Sequence, residues 1–152
     1  MALYLEFDRI VRSFEKAKLR YAVAGGLAVG LHGYVRATQD MDFLLHPQDW
    51  PKAEAALVRL GYRANPVIQE FPKAGLTLNR FHKRLPKEDD LMLVDILIPT
   101  SAPMQRVVAR ALSIPFGSSS IRVVTARDLV MMKRRRGSIT DQADIAFLRK
   151  QP

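Results

Sequence analysis

Asp40-Met41-Asp42 is the stretch of this chain best suited to chemistry. On a β-strand, residues i and i+2 point to one face, so the two carboxylates project together while Met41 turns away. Two like charges on one face repel, and at least one pKa rises unless something positive sits between them. A hard divalent cation such as Mg²⁺ meets that need, because it takes oxygen ligands. Two solvated aspartates at a strand start would show the same spacing, so the rest of the chain has to decide between the two.

A third acid, Asp95, interrupts Leu91 to Ile98, in which the other seven of eight residues are apolar. Such a run predicts a central strand with both faces buried. A carboxylate there is costly to desolvate unless it is paired or bound to metal. An arginine partner would satisfy it, and so would a metal. If this strand lies beside the Asp40 strand, three carboxylates converge at one end of the sheet. There they could hold two Mg²⁺ ions and align an attacking hydroxyl and a leaving pyrophosphate for in-line phosphoryl transfer. Gly25 and Gly26 follow the short apolar run Tyr21 to Ala24 and precede a small-residue segment. A strand, glycine, helix order lets an anion approach backbone N–H groups closely. The pair matches neither GxGxxG nor GxxxxGK[ST], and a simple tight turn would use it equally well.

The elements that must position these residues follow from periodicity. Leu5 to Arg20 reads as an amphipathic helix, with Ile10, Val11, Phe14 and Ala17 inward. Strands are predicted over Tyr21 to Ala24, Asp40 to His46, Val67 to Phe71, Leu76 to Phe81 and Ile121 to Val124. Pro47 to Gly61 reads as a helix with Asp49 as N-cap and Trp50, Ala53, Ala56, Leu57 and Leu60 as its stripe. Pro72 to Gly75 is a turn, Lys83 to Asp90 an exposed loop and Ile114 to Ser120 a loop. Pro103 to Leu112 is a helix with Val107, Val108, Ala111 and Leu112 buried. Thr125 caps a helix over Ala126 to Arg136, with Asp128 in capping-box position and Val130, Met131 and Met132 inward. A last helix, Ile139 to Lys150, turns Ile139, Ala143, Ala146 and Phe147 inward. The order predicts an α/β (α+β) protein with a mixed central sheet flanked by helices.

Composition sets outer limits. The 152 residues are most simply one domain, residues 1 to 152, with a basic helical segment at about 125 to 150. Absence of cysteine rules out disulfides and thiolate metal sites. The scattered His32, His46 and His82 do not suggest zinc. No apolar run of about 18 residues occurs and the N-terminus lacks a signal-peptide core, so a cytosolic protein without membrane partners is expected. The net charge of +9 is uneven: +2 over residues 1 to 100 and +7 over residues 101 to 152. A basic C-terminal third attracts polyanions such as nucleoside triphosphates, RNA or an acidic protein.

Taken in order, these motifs resemble the nucleotidyltransferase superfamily with the polymerase-β-like fold. The resemblance lies in Ala24-Gly25-Gly26, then Asp40-Met41-Asp42-Phe43, then Val94-Asp95-Ile96. Arg36-Ala37-Thr38 resembles the Arg-x-Thr that precedes the triplet in small bacterial members. Lys133 followed by Asp141-Gln142-Ala143-Asp144 resembles their ending, so the likeness spans about residues 20 to 148. It implies Asp40, Asp42 and Asp95 as metal ligands, with Asp95 also orienting or deprotonating the acceptor hydroxyl. It implies Gly25 and Gly26 at the β- and γ-phosphates, and Arg36, Thr38 and Lys133 as triphosphate or acceptor contacts. Asp141 and Asp144 are expected to anchor the last helix on Arg134 to Arg136.

The implied activity is Mg²⁺-dependent transfer of an NMP group from an NTP such as ATP to a hydroxyl of tRNA, a protein or a small molecule. Small stand-alone members include antibiotic-modifying enzymes and toxin–antitoxin or abortive-infection partners. The chain lacks the appended helical domain of larger members, so a partner chain or a second copy is a candidate to complete acceptor recognition. Two alternatives stand beside this reading. One is a catalytically silent interaction module on the same fold. The other is a nucleic-acid-binding domain using Lys133 to Arg136, which lacks interleaved aromatics and matches no recognition signature.

Overall fold

The computed structural model describes residues 2–87, 89–134 and 139–152, the side chains of 139 and 140 excepted. Helix α1 (Ala2–Lys16) begins three residues earlier than its apolar spacing predicts and buries Phe7, Ile10, Val11 and Phe14. Strand β1 (Tyr21–Ala24) is fully buried and runs directly into α2 (Gly25–Leu31), and strand β2 (Asp40–Leu45) returns antiparallel to β1. The predicted Pro47 to Gly61 helix divides into a 3-10 turn (Pro47–Asp49) and α3 (Trp50–Arg59). Ala53, Ala56 and Leu57 are its buried stripe, with Trp50 and Leu60 partly covered. Asp49 stands at the cap position but makes no cap bond. Its carboxylate instead accepts from Arg20, through the backbone N–H at 2.8 Å, Nε at 3.0 Å and Nη2 at 3.0 Å.

The short strands β3 (Arg63–Ala64) and β4 (Gln69–Phe71) both pair with β5 (Leu76–Arg84), which pairs antiparallel with β6 (Leu91–Pro99). Helix α4 (Ala102–Ala109) starts at Ser101, whose Oγ accepts from the Met104 N–H at 3.4 Å. Residues 114–120 are not the loop that Gly, Pro and Ser suggest. Strands β7 (Leu112–Phe116) and β8 (Ser119–Val123) form a hairpin around Gly117, whose φ of +59° suits a tight two-residue turn. Pro115 is tolerated because β7 is an edge strand. Leu112 opens that strand 46% exposed, so it is not a buried helix residue.

Helix α5 (Ala126–Arg134) is capped by Thr125 Oγ1, which accepts from the Asp128 N–H at 3.1 Å. The Asp128 carboxylate completes no capping box, because Arg110 holds it through Nε at 2.7 Å and Nη2 at 2.6 Å. Helix α6 (Ile139–Leu148) buries Asp141, Asp144 and Leu148 and leaves Ala143 and Ala146 exposed, the reverse of the apolar face expected. The acids go inward because cations are waiting there. Arg135, Arg136, Gly137 and Ser138 lie outside the described residues, as does Glu88 of the acidic loop.

Among the described residues the strands form one mixed sheet in the order β3-β5-β6-β2-β1-β8-β7, with β4 also on β5. Strand alternation divides it into two faces. One carries Tyr21, Val23, Met41, Phe43, Phe81, Val94 and Ile96. Phe43 stacks there on Phe7 of α1 at 5.9 Å, and Phe81 meets Trp50 of α3, also at 5.9 Å. The other face carries Asp40, Asp42, Asp95 and Arg80, and its cover is thinner. Leu93 and Leu97 are only partly buried there, and Leu91 at the strand start is 44% exposed, so β6 is not buried throughout as its apolar run predicts. No helix among the described residues is long and apolar enough to cross a membrane.

Candidate active site

The parallel pairing of β2 with β6 sets Asp42 directly beside Asp95, and the antiparallel pairing of β5 with β6 sets Arg80 on the far side of Asp95. Ala24 lies opposite Asp42 on β1. A single row across four strands therefore reads Arg80, Asp95, Asp42, Ala24, with Asp40 two residues before Asp42 on the same face. Asp40 and Asp42 are half-buried, and Asp95 is buried.

Arg80 donates through Nε to Asp95 Oδ1 at 2.7 Å and through Nη2 to Oδ2 at 2.8 Å. Both oxygens of the third acid are thus held in a two-pronged, charge-assisted pair. These bonds hold the guanidinium well above its usual pKa, and the charges of Asp95, Asp40 and Asp42 add to them against a loss from burial. Three carboxylates gather around one guanidinium. The arginine partner for Asp95 is therefore present. Among the described residues, no group of three or more acids or histidines is placed to hold a metal ion. The donor set of Asp40 and Asp42 fits a hard cation, being two carboxylates on one strand face. Both Asp95 oxygens already accept from Arg80, so an ion at Asp95 would share them with the guanidinium.

The glycine pair borders this row. Gly25 has φ +60°, which glycine adopts without strain, and a Cβ there would overlap the Asp42 carboxylate. A Cβ at Gly26 would come within 2.8 Å of Thr38 Oγ1 and 2.9 Å of Arg36 Nη2. The start of α2 is thus packed against Asp42, Thr38 and Arg36 at once. Beside Gly26 lies a groove of about 120 Å³, with Arg36 and Thr38 at its polar end and Tyr4, Leu27, Leu31 and Phe116 along its apolar wall. That is smaller than the few hundred cubic ångströms of a typical small-molecule pocket, so it does not by itself enclose a nucleotide.

Lys133 is buried at the C-terminal helices. It is 6% exposed, 3.0 Å from Asp144 and 3.4 Å from Asp141. Asp144 also receives Arg36, with Nη2 on Oδ2 and Nε beside Oδ1, both at 2.9 Å. A buried network thus ties the Arg36–Thr38 segment to α5 and α6. Asp141 and Asp144 anchor the last helix, as expected, but through Lys133 and Arg36; of the expected partners, Arg135 and Arg136 fall outside the described residues. The structure brings Gly25, Gly26, Arg36, Thr38 and Asp42 together and sets Asp40 and Asp95 in the adjoining row. Sequence reading did not identify Arg80. Its signal was an arginine within the predicted Leu76 to Phe81 strand, in step with Leu76 and Leu78.

Row, glycine pair and parallel β2–β6 pairing define a nucleotidyltransferase-type fold. The chain belongs to the NTP_transf_5 family of uncharacterised nucleotidyltransferases, whose model matches residues 1–138. It is thereby placed among enzymes of nucleotidyl transfer. Solved structures agree on the fold. The lincosamide antibiotic adenylyltransferase LnuA, bound to lincomycin, superposes with a TM-score of 0.66 at 18% identity, covering 95% of each chain. ANT(2″)-Ia in complex with adenylyl-2″-tobramycin gives 0.56 at 12% identity over 98% of each chain. TM1012 of Thermotoga maritima, assigned to the nucleotidyltransferases, gives 0.63 at 10% identity over 97% of this chain and 94% of its own. No curated protein matches the chain.

Proposed function

We propose that residues 1–152 act as one catalytic unit that transfers an NMP group from an NTP to a hydroxyl acceptor with the help of Mg²⁺. The observation that carries this reading is the row in which Asp42 stands beside Asp95, with Asp40 on the same face and Gly25 packed against Asp42. Asp40 and Asp42 would hold the cation, which when bound would supply charge neutralisation at the phosphates. Gly25 and Gly26 keep side chains out of the way of the triphosphate, and Arg36 and Thr38 present donors beside it. In the transfer, the acceptor oxygen forms a bond to the α-phosphorus while the bond from that phosphorus to the α,β-bridging oxygen breaks. Pyrophosphate leaves with the electron pair, and the hydroxyl proton passes to a neighbouring carboxylate. Lys133, buried against Asp141 and Asp144, serves the site by holding the C-terminal helices rather than by touching phosphate.

The fold neighbours LnuA and ANT(2″)-Ia carry names of antibiotic adenylyltransferases, which supports a small-molecule hydroxyl as one acceptor class. The basic C-terminal third supports tRNA or a protein as the other, including a toxin–antitoxin setting. A second reading, a silent interaction module, draws on the engagement of both Asp95 oxygens by Arg80.

Calorimetry of NTP binding with and without Mg²⁺, on wild type and Asp40→Asn/Asp42→Asn, tests the first reading. Metal-dependent binding lost in the variant is the expected result. A screen of α-labelled NTPs against aminoglycosides, lincosamides, tRNA and protein then identifies the acceptor. NTP binding that ignores both Mg²⁺ and the substitutions would leave the silent module as the better account.

A further inference from the structure

We propose that Arg80 is the resident cation of this site and stands in for a second metal ion, so that the site takes one divalent ion rather than two. The inference rests on the nucleotidyl-transfer reading above and concerns how that site balances its charge. It starts from register: Arg80, Asp95 and Asp42 occupy matched positions on three neighbouring strands. The guanidinium holds both Asp95 oxygens at 2.7 and 2.8 Å, leaving that carboxylate no oxygen outside the pair. The Asp95 side chain is 5% exposed and that of Arg80 is 35% exposed, so the arginine covers the buried acid on the side of the sheet where Asp40 and Asp42 lie.

An ion seeking Asp95 would have to share both oxygens with a two-pronged bond and lie within a few ångströms of a charge that never deprotonates. Two cations on one carboxylate repel, so the fixed guanidinium disfavours a metal ion there. Asp40 and Asp42 lie on the same face, in the field of the same guanidinium. A guanidinium carries five N–H donors and the fork onto Asp95 uses two of them. The others are available to an anion beside Asp42. Arg80 thus supplies fixed positive charge at the row, and Asp95 orients it.

Counting bound Mn²⁺ tests this, by equilibrium dialysis of the full chain with saturating inorganic tripolyphosphate, a probe that needs no base preference. We expect one ion per chain in wild type, one in Asp95→Asn, and two in Arg80→Met, where the freed carboxylate becomes a ligand. Two ions in wild type would overturn the proposal, and so would a folded Arg80→Met that still binds one. If Arg80→Met does not fold, Asp95→Asn still decides: loss of an ion there makes Asp95 a ligand in the wild type and overturns the inference. The two readings fail differently. Two ions in wild type sink the role of Arg80 and leave nucleotidyl transfer standing, whereas no Mn²⁺ and no tripolyphosphate bound sinks both.

Discussion

One strand, β5, sends a cation to each face of the sheet, and the two cations meet very different company. On the face under α1 and α3, Lys83 Nζ reaches Glu6 Oε2 at 3.0 Å. Glu6 also accepts from Tyr62 Oη at 2.8 Å and Arg9 Nη1 at 2.9 Å, so one buried acid has three donors. On the other face, Arg80 holds Asp95 and lies in the field of Asp40 and Asp42, so three acids share one guanidinium. The first cluster is an acid saturated with donors, and its outcome is a fixed helix. The second sets three acids around one fixed positive charge. Both contain a buried ion pair. What separates structure from function here is the ratio of acids to cations and the thinness of the cover, not the presence of buried charge.

The comparison breaks most sharply on Asp42. Asp42→Asn should lower nucleotidyl transfer by about 10²–10³-fold, the loss typical of removing one electrostatic element of an active site. Its denaturation midpoint should stay near that of wild type, because the residue is half-buried. A large fall in stability with activity per folded molecule intact would show the open face to be structural.

Glu6→Ala is the mirror experiment. It strands Lys83 and Tyr62 beneath α1, and we expect a loss of about 2–3 kcal/mol in urea unfolding, below the full figure for a buried pair because Lys83 keeps some contact with water. NTP affinity of the folded fraction should not move. A smaller but more local effect is expected from Gly26→Ala. The new Cβ must push aside Thr38 Oγ1 and Arg36 Nη2, so NTP affinity should fall about tenfold, roughly 1.4 kcal/mol, with some loss of stability because Arg36 Nη2 also bonds the buried Asp144.

Much of this was legible in the sequence because the informative patterns are short and periodic. The i, i+2 spacing of Asp40 and Asp42 fixed a shared face, and the lone acid in LMLVDILI announced a buried charge with a partner. What the sequence could not supply was the register between strands, which turns on long-range pairing. Arg80 opposite Asp95 is a fact of register, and so is the row it completes. The hairpin at Leu112–Val123 was hidden because Gly117 and its serines read as a loop, while the pairing that makes them a turn lies outside any local window. Helix α6 misled in the other direction. Its alanines look inward-facing by type, yet Asp141 and Asp144 take the buried side because Lys133 and Arg36 offer them charge.

Acid gives the finest separation of the two faces. Burial pushes the Glu6 carboxyl up, but hydrogen bonds from Tyr62 and Lys83 and the charges of Lys83 and Arg9 outweigh it, so its pKa in the folded chain lies below the ordinary glutamate value. The unfolded chain then binds more protons between the lowered value and the ordinary one, and stability rises with pH across that window. The contribution of Glu6 is therefore complete above the usual glutamate range and is lost as pH falls through the lowered value. Tyr62→Phe removes one donor, a hydrogen bond to a charged group, and should cost about 1.5 kcal/mol at neutral pH. It should cost less once Glu6 is protonated, so the wild-type and variant curves of unfolding free energy against pH should converge on the acid side. Curves that stay parallel into acid would mean that Tyr62 supports α1 by packing alone, and the covered face would then owe its stability to its aromatic contacts rather than to the saturated acid.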